Sequence, residues 1–225
     1  MTAPRRALVL GVSGGIGAAL ADRLAAAGCE VTGLSRSRDG LDLTQPGSIE
    51  RHAARLAETR FDLIFNATGA LVIDGREPEK SFDAVTAEAM AAQFALNATG
   101  VALVIRHFAP LLTREGRPVL ASLSARVGSI GDNGLGGWAA YRAAKAAQNQ
   151  IIRTAAIEWR RRNPRAVIVA LHPGTVETPL TRKYAARHPT ITPERSAEAL
   201  LAVIDGLSPE DTGSFRDWKG QVVPW

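Results

Sequence analysis

Short apolar runs alternate along this chain with longer segments of helical periodicity. A strand reads as a continuous apolar run when both of its faces are buried, as in a parallel sheet covered by helices. The pattern therefore predicts a single α/β domain over residues 1–225, a doubly wound parallel sheet of the Rossmann type. The apolar runs lie at residues 7–10, 30–34, 63–66, 119–123 and 167–171, and the helical patterns at 16–27, 86–112 and 138–163.

One connection is too short for a helical crossover. Seven residues separate Leu34 from Asp42, whereas parallel strands joined through a helix need a dozen or more. We therefore expect residues 40–43 to form at most a short edge strand.

A glycine-rich segment joins the first predicted strand to the first predicted helix. Its spacing is GxxxGxG. Glycines at such a turn let backbone N–H groups approach a pyrophosphate at the positive end of the helix dipole. Turns collect glycine for other reasons too, but the position between strand and helix favours nucleotide binding. The predicted contact residues are Gly11, Ser13, Gly14, Gly15, Ile16 and Gly17.

The segment after the second predicted strand indicates which dinucleotide is bound. It reads Ser35-Arg36-Ser37, with no acidic residue. A carboxylate there would bind the ribose 2′-hydroxyl, whereas an arginine would pair with a 2′-phosphate. The sequence thus favours NADP(H) over NAD(H), the alternative being a solvated surface arginine.

Tyr141 and Lys145 lie four residues apart in an alanine-rich segment. On a helix they share one face. A neighbouring ammonium favours the phenolate and is expected to lower the pKa of the tyrosine toward neutrality, which suits general acid–base catalysis. A packed ring beside a solvated lysine is the ordinary alternative for an isolated pair.

Composition limits the other classes of function. The 225 residues carry a net charge of +5, but the arginines are scattered and no aromatic residues interleave with a basic stripe, so no nucleic-acid partner is expected. Cys29 is the one cysteine, which indicates a reducing, cytoplasmic setting. The N-terminal apolar run is too short for a membrane span or a signal segment.

Six motifs in order make the chain resemble the classical short-chain dehydrogenase/reductase family. The resemblance implies roles in cofactor binding or catalysis for each of them. The motifs are the glycine loop; the adenine-framing pair Asp42-Leu43; the NNAG-like segment Asn66, Ala67, Thr68 and Gly69; Asn97; the YxxxK pair Tyr141 and Lys145; and the PGxVxT-like segment with Pro173, Gly174, Val176 and Thr178.

The same resemblance implies a seven-stranded sheet in the order 3-2-1-4-5-6-7. The insertion at residues 128–138 and the tail at 213–225 are similar to the branch that contains C-factor signalling proteins and sniffer-type carbonyl reductases.

One motif departs from the family pattern. After the fifth family strand a Ser-Ser-x-x-Gly segment normally supplies a catalytic hydroxyl, and here the register against Gly128 places Ala125 at that position. Ser124, one residue earlier, is the expected substitute, with Ser129 as a second candidate. In an extended strand Ser124 would face the other side unless a bend re-aims it.

The resemblance implies hydride transfer between NADPH and a ketone or aldehyde, or the reverse oxidation of an alcohol. Tyr141 would exchange the proton, Lys145 would bind the nicotinamide ribose, Asn97 would hold a water, and the serine would orient the carbonyl. Trp138 and Tyr184 are expected in or near the substrate site, and their rings suit a flat or apolar carbonyl compound. His172 and His188 lack metal-ligand spacing, and no metal is expected.

Helices 86–112 and 138–163 carry more apolar residues than one buried face needs, which predicts a homodimer or homotetramer. The alternative functions are an NADP(H)-binding regulatory or signalling protein, which Ala125 would suit, and a nucleic-acid-binding module.

Overall fold

The computed structural model describes residues 5–178 and 190–225, and within them six strands form one parallel sheet. The strands are β1 (Arg6–Leu10), β2 (Glu30–Leu34), β3 (Leu63–Asn66), β4 (Val119–Leu123), β5 (Val167–His172) and β6 (Phe215–Asp217). Their spatial order is β2-β1-β3-β4-β5-β6. The count of seven strands implied by the resemblance is therefore wrong for the described residues, and β6 takes the place of the last family strand, which no apolar run had located.

Helices connect the strands on both faces of the sheet. They are α1 (Gly15–Ala26), α2 (Arg36–Asp39), α3 (Pro46–Arg55), α4 (Ala87–Phe94), α5 (Gly100–Phe108), α6 (Ala139–Arg162) and α7 (Pro193–Gly206). The three arginines Arg160–Arg162 occupy the last turn of α6, where cations interact favourably with the helix dipole.

Two apolar clusters, one on each face of the sheet, explain the continuous apolar runs. In β1, Leu8 and Leu10 join a cluster that contains residues of α3, α5 and α6. Ala7 and Val9 point the opposite way, into a cluster with α1 and α7. Because successive strand residues face opposite sides, a strand covered on both faces is apolar along most of its length. The doubly wound α/β prediction is confirmed.

The expected edge strand at residues 40–43 does not form. Leu41 and Leu43 are buried in the core, and local contacts occupy the backbone around them. The Ser48 hydroxyl accepts a hydrogen bond from Asp42 N and donates one to Gly40 O. These backbone groups therefore need no partner on a neighbouring strand. The sheet has the family order without the outermost strand, the one expected at residues 40–43.

The predicted helix 86–112 is interrupted in its middle. A π-type turn spans Ala95–Thr99 between α4 and α5. Such turns insert one extra residue into a helix and are frequent at functional sites. This turn carries Asn97.

The stretch Ala87–Leu111 is long and apolar enough to cross a membrane by length and composition. In the fold α4 contacts α6, and α5 contacts α3 and α6. Core helices often pass the same length and composition test.

Candidate active site

The predicted motifs meet at the carboxyl ends of the strands. In the sheet, β2 lies on one side of β1 and β3 lies on its other side, so the strand order reverses at β1. Ligands of open α/β sheets bind in the crevice where the strand order reverses. The loops after β1 and β3 touch there, since a Cβ at Gly11 would lie 3.0 Å from the Ala67 carbonyl.

The glycine loop has the shape of a phosphate cradle. Gly11 has a positive φ of 94°, and a Cβ at Gly17 would collide with the Gly11 carbonyl oxygen. Gly14 is the N-cap of α1 and provides no side-chain cap. The first N–H groups of α1 therefore point into an exposed loop of small residues, where a pyrophosphate would find donors and a favourable dipole. The residues present fit a dinucleotide.

The segment after β2 presents arginine to solvent. Ser35 is buried and caps α2 by accepting a hydrogen bond from Arg38 N, while Ser35 N donates to the Asp39 carboxylate at 2.8 Å. Arg36 begins this short helix and is exposed. Asp39 therefore faces back onto its own turn, and Arg36 is exposed at the end of β2.

Asp42 and the segment after β3 are held by local hydrogen bonds. Asp42 Oδ1 accepts from the Thr44 backbone N at 2.8 Å and from its hydroxyl at 2.7 Å. Asn66 Oδ1 likewise accepts from the Thr68 hydroxyl at 2.6 Å. Leu43 packs closely against Gly100, where a Cβ would lie 2.9 Å from the Leu43 Cβ. These bonds fix the backbone that would frame the adenine.

The segment after β5 reaches the glycine loop. A Cβ on Gly15 would lie 3.2 Å from Thr178 Cγ2. Pro173 O accepts a hydrogen bond from Ser196 at 2.9 Å, and Gly174 adopts a φ of 85° against Trp218. Val176 is buried and pairs with Ile191. The segment expected to hold the nicotinamide therefore contacts the loop expected to hold the pyrophosphate.

Tyr141 lies in the first turn of α6, 8% exposed, with its ring edge-on to Trp138 at 6.4 Å between centroids. Burial raises the pKa of Tyr141 well above its ordinary value of 10. The expected lowering of this pKa by Lys145 is therefore wrong for the cofactor-free protein. Removal from water destabilises the phenolate more than the ammonium stabilises it.

Lys145 lies one turn later on the same face, 3% exposed, with Nζ 5.8 Å from the Tyr141 ring centroid. Nζ donates to Gln148 Oε1 at 2.8 Å and to Leu123 O at 3.2 Å. Burial lowers the pKa of Lys145 from 10.5 to about 7. The predicted pair therefore shares one buried face of α6.

Asn97 is buried in the π-type turn and tied to the loop after β3. Its Nδ2 donates to Ala70 O at 2.9 Å and to Gln93 Oε1 at 2.6 Å, and its Oδ1 accepts from Ala70 N at 3.3 Å. Gly69 lies between the two polar side chains, because a Cβ there would be 2.9 Å from Asn97 Oδ1 and 3.3 Å from Lys145 Nζ. Asn97 and Lys145 thus flank the same glycine.

Both candidate serines are hydrogen-bonded within the protein. Ser124 is buried, and its hydroxyl donates to Asn149 Oδ1 on α6 at 2.6 Å. The Ser129 hydroxyl donates to Pro224 O in the C-terminal tail. Ala125, at the family position of the catalytic hydroxyl, begins the turn that leads to Gly128. Through its hydrogen bond to Asn149, Ser124 connects the end of β4 to α6.

Four polar residues around the pair were not found by sequence reasoning: Glu79, Gln93, Gln148 and Asn149. Each is buried and bonded to the site or to the helix that carries it. Three of them had a detectable signal, namely helical spacing from a predicted site residue. Gln93 precedes Asn97 by four residues, and Gln148 and Asn149 follow Lys145 by three and four residues. Glu79 is distant in sequence and carried no such signal.

His172 ends β5 beside Arg126 and Asp217. Burial and the nearby Arg126 lower the pKa of His172 to about 4, so this ring is neutral at physiological pH. Tyr184 and His188 lie outside the described residues. Within the described part of the chain, no group of three or more His, Cys, Asp or Glu side chains could hold a metal ion.

This chain is similar to known proteins over most of its length. A family model described as Enoyl-(Acyl carrier protein) reductase matches residues 11–213. The 1-hydroxy-2-glutathionyl-2-methyl-3-butene dehydrogenase of Rhodococcus sp. (strain AD45) is 34% identical over 204 residues, or 90% of this chain and 83% of the relative. The C-signal protein of Myxococcus xanthus is 38% identical over 136 residues, or 60% of this chain and 78% of the relative.

Solved structures share the whole fold. The NADPH-bound carbonyl reductase from chicken fatty liver is 25% identical and superposes with a TM-score of 0.82, covering 98% of this chain and 99% of that one. Carbonyl reductase Sniffer of D. melanogaster, 19% identical, has the same fold with a TM-score of 0.79 over 98% of this chain and 99% of that one. The chain belongs to the short-chain dehydrogenase/reductase family, as the ordered motifs, the shared fold and these matches show.

Proposed function

We propose that this enzyme reduces the carbonyl group of a small ketone or aldehyde with NADPH, or oxidises the corresponding alcohol. The observation that carries the proposal is the buried pair Tyr141 and Lys145 on one face of α6. Asn97 and Gly69 lie beside the pair, and the glycine loop lies in the same crevice. A phenol, an ammonium and a dinucleotide cradle at one switch point are the parts that hydride transfer requires.

The side chains of this chain would handle the proton. NADPH, when bound, supplies the hydride for the carbonyl carbon. Tyr141 gives its proton to the carbonyl oxygen, and burial keeps this phenol protonated at neutral pH. Lys145 would hold the nicotinamide ribose, with Asn97 fixing the adjoining loop through Ala70. The glycine loop, Asn66–Gly69 and Pro173–Thr178 would enclose the rest of the cofactor.

Arg36 supports a preference for NADPH. Its exposed guanidinium at the end of β2 can pair bidentately with a 2′-phosphate, and Asp39 is already bonded to Ser35. Arg36→Ala should weaken NADPH binding at least 10-fold more than NADH binding, as expected for a charge-assisted pair of about 1.5–3 kcal/mol. Fluorescence titration with both cofactors measures this, and Arg55→Ala on α3 is the matched surface control. Equal losses for both cofactors would contradict the assignment.

The direct test of function is NADPH oxidation by the purified protein against quinones, aldehydes and 1,2-diketones. Because one relative is named for a glutathionyl alcohol with its hydroxyl on a terminal carbon, the reverse assay should include a glutathione-conjugated primary alcohol with NADP⁺ as the oxidant. We expect turnover on at least one carbonyl compound, with NADPH used better than NADH. No turnover in either direction would refute the reductase.

One observation favours a second candidate, an NADP(H)-binding signalling protein. Ala125 replaces the family hydroxyl, and the hydroxyls of Ser124 and Ser129 are bonded to Asn149 and Pro224. A missing oxyanion donor costs about 3–4 kcal/mol of transition-state stabilisation, which would leave binding intact and turnover slow. Tight NADPH binding with no turnover on the full panel would establish this candidate.

A further inference from the structure

Gln148 is a fully buried amide that directly contacts the acid–base pair. Its Oε1 accepts from Lys145 Nζ at 2.8 Å. Its Nε2 donates to Leu123 O at 2.9 Å and to Ser122 Oγ at 3.2 Å. Because Leu123 O can only accept and the Lys145 ammonium can only donate, the amide is held with its oxygen toward the lysine.

The Gln148 amide is part of a polar chain through the sheet. Ser122 Oγ also accepts from Asn66 Nδ2 at 3.1 Å, and Asn66 Oδ1 accepts from Thr68. The chain therefore runs from Lys145 through Gln148, Ser122 and Asn66 to the loop that would contact the cofactor. Buried polar networks that are fully bonded hold their members in one arrangement.

Among the described hydrogen bonds, the one that Lys145 Nζ makes to a side chain goes to Gln148 Oε1. The titratable group that faces it is Tyr141, on the same helix. The elements packed around Nζ present Leu123 O from β4, Gly69 from the loop after β3 and Asn97 from the π-type turn, all uncharged. Without a counter-ion, a buried ammonium depends on neutral acceptors.

We propose that Gln148 is a positioning residue of the catalytic pair, which holds the Lys145 ammonium charged and directed toward the crevice before the cofactor binds. Its effect on turnover rests on the proposed function, whereas its effect on Lys145 does not. The oxygen of the amide stabilises the ammonium form, and the two hydrogen bonds of the nitrogen keep that oxygen in place.

The test measures the ionisation of Lys145 in the cofactor-free protein. The chain has four lysines, Lys80, Lys145, Lys183 and Lys219, so lysine labelled with ¹³C at Cε gives a resolvable NMR spectrum in which Lys145→Met identifies the signal. In Gln148→Leu the titration midpoint of Lys145 should fall by about one pH unit, the effect of losing one hydrogen bond to a charged group. Gln150→Leu removes an exposed glutamine of the same helix and should leave the midpoint unchanged.

A second variant protects the test against poor folding of the first. Gln148→Glu places a carboxylate beside Nζ and should raise the midpoint by at least one pH unit. A midpoint that either variant leaves unmoved would overturn the proposal. If wild-type protein shows no carbonyl turnover while the midpoints move as expected, the proposed function fails and the role of Gln148 stands.

Turnover supplies the remaining readout. If catalysis needs the ammonium, kcat falls as pH rises through the Lys145 midpoint, and this fall should begin about one pH unit lower in Gln148→Leu than in Gln150→Leu. A purely structural role would lower kcat equally at every pH, and that outcome would contradict positioning.

Discussion

Burial sets the charges of Tyr141 and Lys145 in the cofactor-free protein. It raises the pKa of the phenol and lowers the pKa of the ammonium to about 7, so both side chains are driven toward their neutral forms. Nζ lies 5.8 Å from the ring centroid. A protonated phenol is the acid that carbonyl reduction needs, whereas alcohol oxidation needs its conjugate base. In the proposed reaction, the resting site would therefore hold the acid form that reduction needs.

Tyr141→Phe tests this acid. The substitution keeps the ring that packs on Trp138 and removes the proton, so carbonyl reduction should fall by about 10²-fold or more. NADPH affinity should stay within a few-fold, as measured by fluorescence titration. Full activity in the variant would refute Tyr141 as the proton donor.

The buried ammonium also predicts how stability depends on pH. Lys145 has a pKa of about 7 in the folded protein, against 10.5 for an exposed lysine, so between these values the unfolded chain binds more protons. The free energy of unfolding due to this group therefore rises with pH across that window. Lys145→Met should be more stable than wild type at pH 7, and this advantage should shrink by about 3 kcal/mol by pH 9.5.

Urea unfolding of both proteins at the two pH values measures that change. Lys219→Met, at an exposed lysine, is the control, and its difference from wild type should not vary with pH. A constant difference for Lys145→Met would show that Lys145 is not desolvated.

At the scale of elements, the start of α6 depends on a distant carboxylate. Trp138 precedes α6 in a left-handed conformation and provides no side-chain cap. Instead Glu79, buried in the loop before α4, accepts from Ala140 N at 3.3 Å, and its carbonyl accepts from Trp138 N at 2.6 Å. A carboxylate at a helix N-terminus satisfies free N–H groups and interacts favourably with the dipole. The same contacts place Tyr141 in the first turn of the helix.

Glu79→Ala should therefore destabilise the fold by about 1–2 kcal/mol, the usual cost of losing a cap. It should also lower kcat more than Glu58→Ala, which removes an exposed carboxylate outside the site. Urea unfolding and initial rates measure the two effects. Equal stability of the two variants would contradict the capping role.

At the scale of the whole molecule, one helical layer keeps apolar surface after the core is filled. Ile157 on α6 is 51% exposed. Leu103 on α5 and Ile151, Ala155 and Trp159 on α6 are only partly buried. Adjacent helices with spare apolar surface are typical of a two-fold interface between identical subunits.

We therefore expect a homodimer or a homotetramer built on this face. Ile157→Asp should halve the mass found by light scattering at micromolar concentration, because it places a charge in the interface core. Ile130→Asp, at an equally apolar position in the loop after β4 that is 78% exposed, should leave the mass unchanged. A wild-type monomer would refute the expectation.

Local pattern in the sequence determined the strands β1 to β5, the long helices and the order of the motifs. Burial on both faces favours nearly continuous apolar runs in β1, β3, β4 and β5, and the glycines and the YxxxK spacing are local requirements. The tertiary structure decided what depends on residues far apart in the chain. Ser48, and not a neighbouring strand, binds the backbone at residues 40–43, so the edge strand is absent. Desolvation from all sides, which no spacing encodes, sets the ionisation of Tyr141 and Lys145. Glu79 reaches α6 across 61 residues of sequence, and only the packed fold brings such groups together.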